Sequence, residues 1–167
     1  ALLGSKPRPV GWSERRQRID EVGSTWPVAP DVQCECVDCD GVAGEWSIAP
    51  GSEPSRVLLY FHGGGFCLGS PRSHRNLVSR LAQAAGIRAV VPDYRKSPEH
   101  PFPAALDDTV RLYRHFLDQG IKPANIVFAG DSAGGNLVLT TLLKLKQDGL
   151  PLPAAGCPIS PRCDVSL

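Results

Sequence analysis

Short runs of apolar and polar residues set the rhythm of the chain after its first thirty positions. "VQCECV" (32–37), "GEWSIA" (44–49) and "RVLLYF" (56–61) have strand character, and the breakers "DCDG" and "PGSEP" separate them. Three short strands in succession predict a meander. After Phe61 a glycine loop, "HGGGFCLGS", leads into a helical stretch from Ser73 to Ala85 that Gly86 closes. "IRAVV" (87–91) reads as a buried strand and "YRKSPEHPFPA" as a Pro-rich loop. A second helix is predicted from about Ala104 to Gln119, with Leu106, Val110, Tyr113 and Leu117 on one face and Gly120 at its end. "IVFAG" (126–130) is another buried strand. The helix after it, Ala133 to Gln147, is apolar over most of its surface, as a helix packed on a sheet should be, and Gly149 stops it. "AAGCPIS" (154–160) is the last predicted strand.

Strands alternating with helices argue for an α/β fold, a mostly parallel sheet with flanking helices and right-handed crossovers. Ligands of such sheets bind beyond the carboxyl ends of the strands, where both glycine-rich loops fall. The polar, Pro- and Gly-rich start reads differently. "SERRQRIDEV" predicts a short helix capped by Ser13, within an arm or partial cap over 1–31 that precedes a core over 32–167.

Composition narrows the function. The 167 residues suffice for one domain with a core. With 18 basic and 17 acidic residues the net charge is +1, and no basic stripe interleaves with aromatics, so nucleic acid is not an expected partner. No apolar run approaches the ~20 residues that span a bilayer, and "ALLGSKPRPVGW" has neither an apolar h-region nor a cleavage site. The chain holds no Met and begins with Ala, which leaves open whether these are its natural ends. Of the six cysteines, Cys34, Cys36 and Cys39 cluster in "CECVDC". A thiolate metal site is one reading, but no fourth ligand stands nearby. Free thiols beside a strand, with Cys34 and Cys36 on one face, is the other. No disulfide framework is apparent, which points to a reducing, cytoplasmic setting.

Two motifs carry chemistry. Gly130-Asp131-Ser132-Ala133-Gly134 fits G-x-S-x-G between a strand and a helix. Small residues two positions either side of Ser132 let the backbone bend sharply, which lifts Oγ clear of the sheet while the helix behind it aims its N–H groups at the site. His62-Gly63-Gly64-Gly65 ends the third strand. A run of glycines presents backbone N–H groups without obstruction by Cβ, as a tetrahedral oxyanion requires. A phosphate loop would need a G-K-[ST] or a G-x-G-x-x-G order that is absent.

Together with "DYRKSPEHPFPAALDD" (93–108) and "GLPLPAAGCPISPRCD" (149–164), these motifs identify a resemblance to the hormone-sensitive-lipase-like family of α/β-hydrolases, dense from about Arg56 onward. The resemblance implies an α/β-hydrolase fold truncated after about its sixth strand. It implies Ser132 as nucleophile, the N–H groups of Gly64, Gly65 and Ala133 as oxyanion hole, and His62, Gly63, Gly130, Asp131 and Gly134 as motif support. The family hydrolyses short to medium acyl esters without metal or cofactor, so a small-molecule ester is the implied partner. Lys96 and Ser97 stand where the family usually has Leu-Ala, and Arg162 where it usually has Trp, a place where burying a charge would cost stability.

The triad of this fold runs Ser, acid, His along the chain. Only Asp148 and Asp164 follow Ser132 as acids, and no His follows it. His62 and His100 fall in structural loops, and His74 and His115 fall on helices and read as surface residues. Asp164 matches an aspartate outside the family's triad. The chain therefore reads as a nucleophile and an oxyanion hole without the acid–His pair, with "AAGCPIS" as an open apolar edge through which chains could associate. Two further readings stay open: a non-catalytic small-molecule-binding protein on the same scaffold, and an inactive fragment.

Overall fold

The computed structural model describes residues 11–163. In chain order the elements are α1 (Trp12–Gly23), β1 (Gln33–Cys39), β2 (Val42–Ile48), β3 (Val57–Phe61), α2 (Pro71–Ala85), β4 (Arg88–Pro92), α3 (Ala104–Asp118), β5 (Ile126–Asp131), α4 (Ala133–Gln147) and β6 (Ala155–Ile159). Six strands form one sheet in the order β1-β2-β4-β3-β5-β6. β3, β4, β5 and β6 run parallel, and the hairpin β1–β2 attaches antiparallel to β4.

The expected meander is thus wrong. β1 and β2 pair through a two-residue turn, but β3 leaves β2 and runs between β4 and β5. The physical reason lies in "VLLYF", whose five side chains are all buried. A strand that is apolar on both faces needs a neighbour on each side and cover above and below, and only the middle of the sheet supplies both.

Side-chain alternation divides the core into two layers. Val57, Leu59 and Phe61 of β3 join Val90, Ile126 and Phe128 beneath α3 and α4, whose Val110, Tyr113, Phe116, Leu137 and Leu145 close that face. Leu58 and Tyr60 point the other way with Ala89, Val91 and Ala129, against Val78 and Ala82 of α2. α2 starts two residues earlier than predicted because Ser70 and Ser73 form a capping box with Pro71 behind it, and Gly86 ends it in the left-handed conformation. Ser13 does not cap α1. Gly11 occupies the N-cap without a side-chain bond, and Ser13 lies within the first turn.

The segment from α1 to Pro30 lies along α2. Ser70 Oγ donates to Asp20 Oδ1 at 2.5 Å, Arg72 Nε to Ser24 Oγ at 2.9 Å, Ala29 N to Ser79 Oγ at 2.9 Å and Gln83 Nε2 to Pro30 O at 2.8 Å. At the far side β6 has only β5 as a neighbour among the described residues, and Ile159 stays 41% exposed. All six cysteines are free. Cys34 and Cys36 share a face of β1, while Cys39 is buried on the other. Among the described residues no cluster could hold a metal ion, and no helix is long and apolar enough to cross a membrane.

Candidate active site

The carboxyl ends of β3 and β5 lie side by side, Phe61 opposite Gly130, so the glycine loop and the strand–helix turn leave the sheet together. Ser132 sits between β5 and α4 with φ 53° and ψ −113°, a conformation that costs a non-glycine residue about 1–3 kcal/mol. Three backbone bonds hold it there. Its N–H donates to Ile159 O at 2.9 Å, and its carbonyl accepts from Asn136 N at 3.0 Å and Arg162 N at 3.1 Å. The side chain is exposed while Ala133 behind it is buried, so the turn lifts the hydroxyl off the sheet at the head of a 15-residue helix.

The glycine loop is shaped by what surrounds it. Gly64 has φ 126°, and a Cβ there would meet Leu68 O at 2.1 Å; Gly65 has φ 63°. Cys67 N and Leu68 N both donate to Gly64 O, closing a tight turn. No protein acceptor takes the N–H of Gly64 or Gly65 among the described residues, and Ala133, as the first residue of α4, has no intrahelical acceptor. His62 is fully buried and stacks on Tyr94 with ring centroids 4.1 Å apart. Its Nδ1 bonds Gly63 O at 2.8 Å, and Tyr94 Oη donates to His62 O at 2.8 Å. Burial pushes the His62 imidazole down to about 3 despite the bond to Gly63, so the ring is neutral at physiological pH.

Asp131 links the two motifs. Its Oδ1 accepts from Gly63 N at 2.9 Å and from Tyr60 Oη at 3.0 Å, and His74 Nε2 lies 3.3 Å from it. Burial opposes ionisation of this half-buried carboxyl, but the bonds from His74, Tyr60 and Gly63 outweigh it and hold the group below its usual range. His74 is therefore not the surface residue expected of it. It occupies the face of α2 that also carries Val78 and Ala82, and that i, i+4, i+8 spacing is the signal which marks it as inward-facing. Of the other histidines, His100 is exposed and His115 stands edge-on to Phe116. Among the described residues no histidine side chain bonds Ser132.

A cavity of about 470 Å³ opens beside the motifs, between Phe66 after the glycine loop and Asn136, Leu137 and Thr140 on α4, with Leu106 and Ala105 opposite. Its rim is fastened by two arginines that sequence reasoning did not single out. Arg16 reaches from α1 to Cys67 O at 2.8 Å, to Ser97 O at 2.9 Å and to both oxygens of Glu99. Arg95 bonds the buried carboxylate of Asp108 through Nε and its own N–H, which anchors the loop after β4 to α3. The unusual Lys96 and Ser97 fit this loop. Lys96 Nζ pairs with Asp93, and Ser97 N donates to Phe66 O at 2.9 Å. Arg162 is exposed, so it carries no burial cost, and its carbonyl accepts from Asn136 Nδ2 at 2.8 Å. Asp164 lies outside the described residues.

A family profile described as "alpha/beta hydrolase fold" matches residues 58–167. The chain is 40% identical over 161 residues to the acetyl-hydrolase of Streptomyces hygroscopicus, a match covering 96% of this chain and 51% of that protein. Among solved structures it is similar to an esterase from the bacterial hormone-sensitive lipase family, with a TM-score of 0.91 and 44% identity over 96% of this chain and 54% of the other. It is similar also to EstE5 soaked with p-nitrophenyl butyrate, with a TM-score of 0.89 and 42% identity over 98% of this chain and 55% of that one. The chain spans about half the length of the curated relatives it matches.

Proposed function

The chain belongs to the α/β-hydrolase fold family and corresponds to the N-terminal part of its hormone-sensitive-lipase-like members, and from that premise we propose that it carries the nucleophile and oxyanion hole of a serine carboxylic-ester hydrolase. The observation that carries the proposal is the junction of the two loops. An exposed Ser132 at φ 53° heads α4, and the 2.9 Å bond from Gly63 N to Asp131 ties the glycine loop to the residue before it. In this reading Ser132 Oγ attacks the ester carbonyl and the N–H groups of Gly64, Gly65 and Ala133 receive the oxyanion. Collapse of the tetrahedral intermediate expels the alcohol and leaves an acyl-serine for water to hydrolyse. The serine's proton needs a base. No His follows Ser132 in these residues, and among the described residues no histidine side chain hydrogen-bonds the serine, so none of them is assigned as the base. Without a base and its acid a residual acceleration of about 10³–10⁴-fold over water is the ceiling.

The acyl group is short to medium in this proposal, because the apolar cavity beside Phe66 and Leu137 is in the size range of small-ligand pockets. The test is hydrolysis of p-nitrophenyl esters from acetate to dodecanoate by the chain continued through the remaining length of its relatives. Turnover should be highest on the shorter acyl groups. A folded protein that turns over none of the esters would overturn the assignment.

Self-association through β6 belongs to the same proposal, since Ala155, Gly156 and Cys157 are exposed along with Ile159 on that edge strand. Sedimentation velocity of the isolated chain should show mass rising with concentration, and a monomer at every concentration would refute it.

A further inference from the structure

We propose that His74 is a positioning residue for the oxyanion loop, donating from Nε2 to Asp131 Oδ1 so that this carboxylate holds Gly63 at a fixed place relative to Ser132. The inference rests on the ester-hydrolase reading above and extends it to a residue outside both motifs.

The geometry begins at the cap of α2. Ser73 Oγ donates to Ser70 O at 2.9 Å and accepts from Ser70 N at 2.9 Å, so the capping box fixes it. His74 Nδ1 lies 2.8 Å from that same oxygen, and since the hydroxyl proton goes to Ser70 O, Nδ1 donates to it, which sets the plane of the ring; an Nε2 that also donates makes the ring an imidazolium. Nε2 then faces two groups, the Gly63 N–H at 3.3 Å and Asp131 Oδ1 at 3.3 Å. The two contacts compete, because a ring nitrogen that accepts from Gly63 cannot donate to Asp131. Distance decides between them. The Gly63 N–H is 2.9 Å from Asp131 Oδ1, so the carboxylate takes the amide and leaves Nε2 as a donor to the same oxygen. Tyr60 Oη is the third donor on it, and the three come from β3, the glycine loop and α2.

Two facts make this junction relevant to catalysis. Asp131 precedes Ser132 and Gly63 precedes Gly64, so each end of the bond is one residue from a proposed catalytic group. The fit is also close, since a Cβ on Gly63 would lie 2.1 Å from Asp131 Oδ2. His74 further stands 5.5 Å from the His62 ring that begins the loop and 6.2 Å from Tyr60. The groups facing it are therefore Asp131, His62 and Tyr60. Lys96 acts on His62 from beyond it, and Cys157 acts on Tyr60. Only Asp131 among them is an anion at neutral pH that Nε2 can bond. Removing the Nε2 donor lets the carboxylate turn and the glycine loop shift. Oxyanion donors act on the transition state, so the loss should fall on kcat and leave KM nearly unchanged.

Two measurements test the proposal. In the chain continued through the length of its relatives, His74→Phe keeps a ring against His62 but removes the donor, and kcat should fall on the order of tenfold to a hundredfold with KM within about twofold. His74→Gln places an amide N–H near Nε2 and should recover most of that loss. A His74→Phe protein with parental kcat overturns the proposal. Where His74→Phe does not fold, His74→Gln against His74→Ala makes the same comparison, and equal kcat values overturn it. In the isolated chain, NMR should detect a proton on His74 Nε2 coupled to Asp131, and the Gly63 amide resonance should move in His74→Gln. An Nε2 without a proton overturns the proposal even if no ester is ever turned over, so this arm separates its failure from failure of the hydrolase reading.

Discussion

Ser132→Ala, made in the chain continued through its relatives' length, should lower kcat on p-nitrophenyl esters by about 10⁴-fold or more and leave the melting temperature where it was. The two halves of that result have separate causes. The hydroxyl is the group proposed to form the acyl bond, and its loss removes the covalent route altogether. The fold does not depend on it, because Ser132 is exposed and its holding bonds all run through the backbone, to Ile159 O and from Asn136 N and Arg162 N. Alanine keeps Cβ, so the strain at φ 53° is also unchanged. Ester assays and thermal melts on the same preparations check both halves. A Ser132→Ala protein within tenfold of the parental rate would remove Ser132 from the mechanism.

Much of this architecture was legible because it is encoded locally. α4 runs from Ala133 to Gln147 as its apolar pattern predicts, and β5 occupies "IVFAGD", since a continuous apolar run between breakers has few alternatives. The serine turn and the glycine loop were legible for the same reason. Gly64 and Gly65 declare a backbone conformation in the residue type itself. What depends on distant pairing was not legible. The all-apolar "VLLYF" marks a central strand, but which strands flank it, and so the place of β4 between β2 and β3, follows from contacts made across the sheet. Arg16 finds its partners 51 and 81 residues away. His74 lies between these cases. Its place on the buried face of α2 was readable from its spacing to Val78 and Ala82, but a histidine near a helix start is read first as polar and exposed. Asp131 stands in the serine motif, but the donors on its carboxylate, Tyr60 Oη and Gly63 N, are 71 and 68 residues away in sequence, so its local motif does not announce them.

The second large effect concerns a residue with no side chain. Gly134→Ala should destabilise the chain by about 3 kcal/mol or more, lowering the melting temperature by roughly 6–12 °C or abolishing a cooperative transition. Helix propensity argues the other way, since Ala is favoured over Gly inside a helix by about 1 kcal/mol. Sterics decide the sign. A Cβ at position 134 would lie 1.9 Å from Phe61 O and 2.7 Å from His62 O, both backbone atoms at the end of β3 and the start of the glycine loop. Neither can rotate away, so α4 must retreat from β3 by more than an ångström. Its retreat would part Gly130, which packs on Gly134 O, and would open the space between the serine turn and the oxyanion loop. Gly149→Ala is the control. Position 149 has open space around it and only a positive φ of 68°, so substitution there should cost about 1–2 kcal/mol of backbone strain. Thermal melts of the two variants beside the parent make the comparison. If Gly134→Ala melts no lower than Gly149→Ala, the close approach of α4 to β3 is not what seats the serine turn against the oxyanion loop.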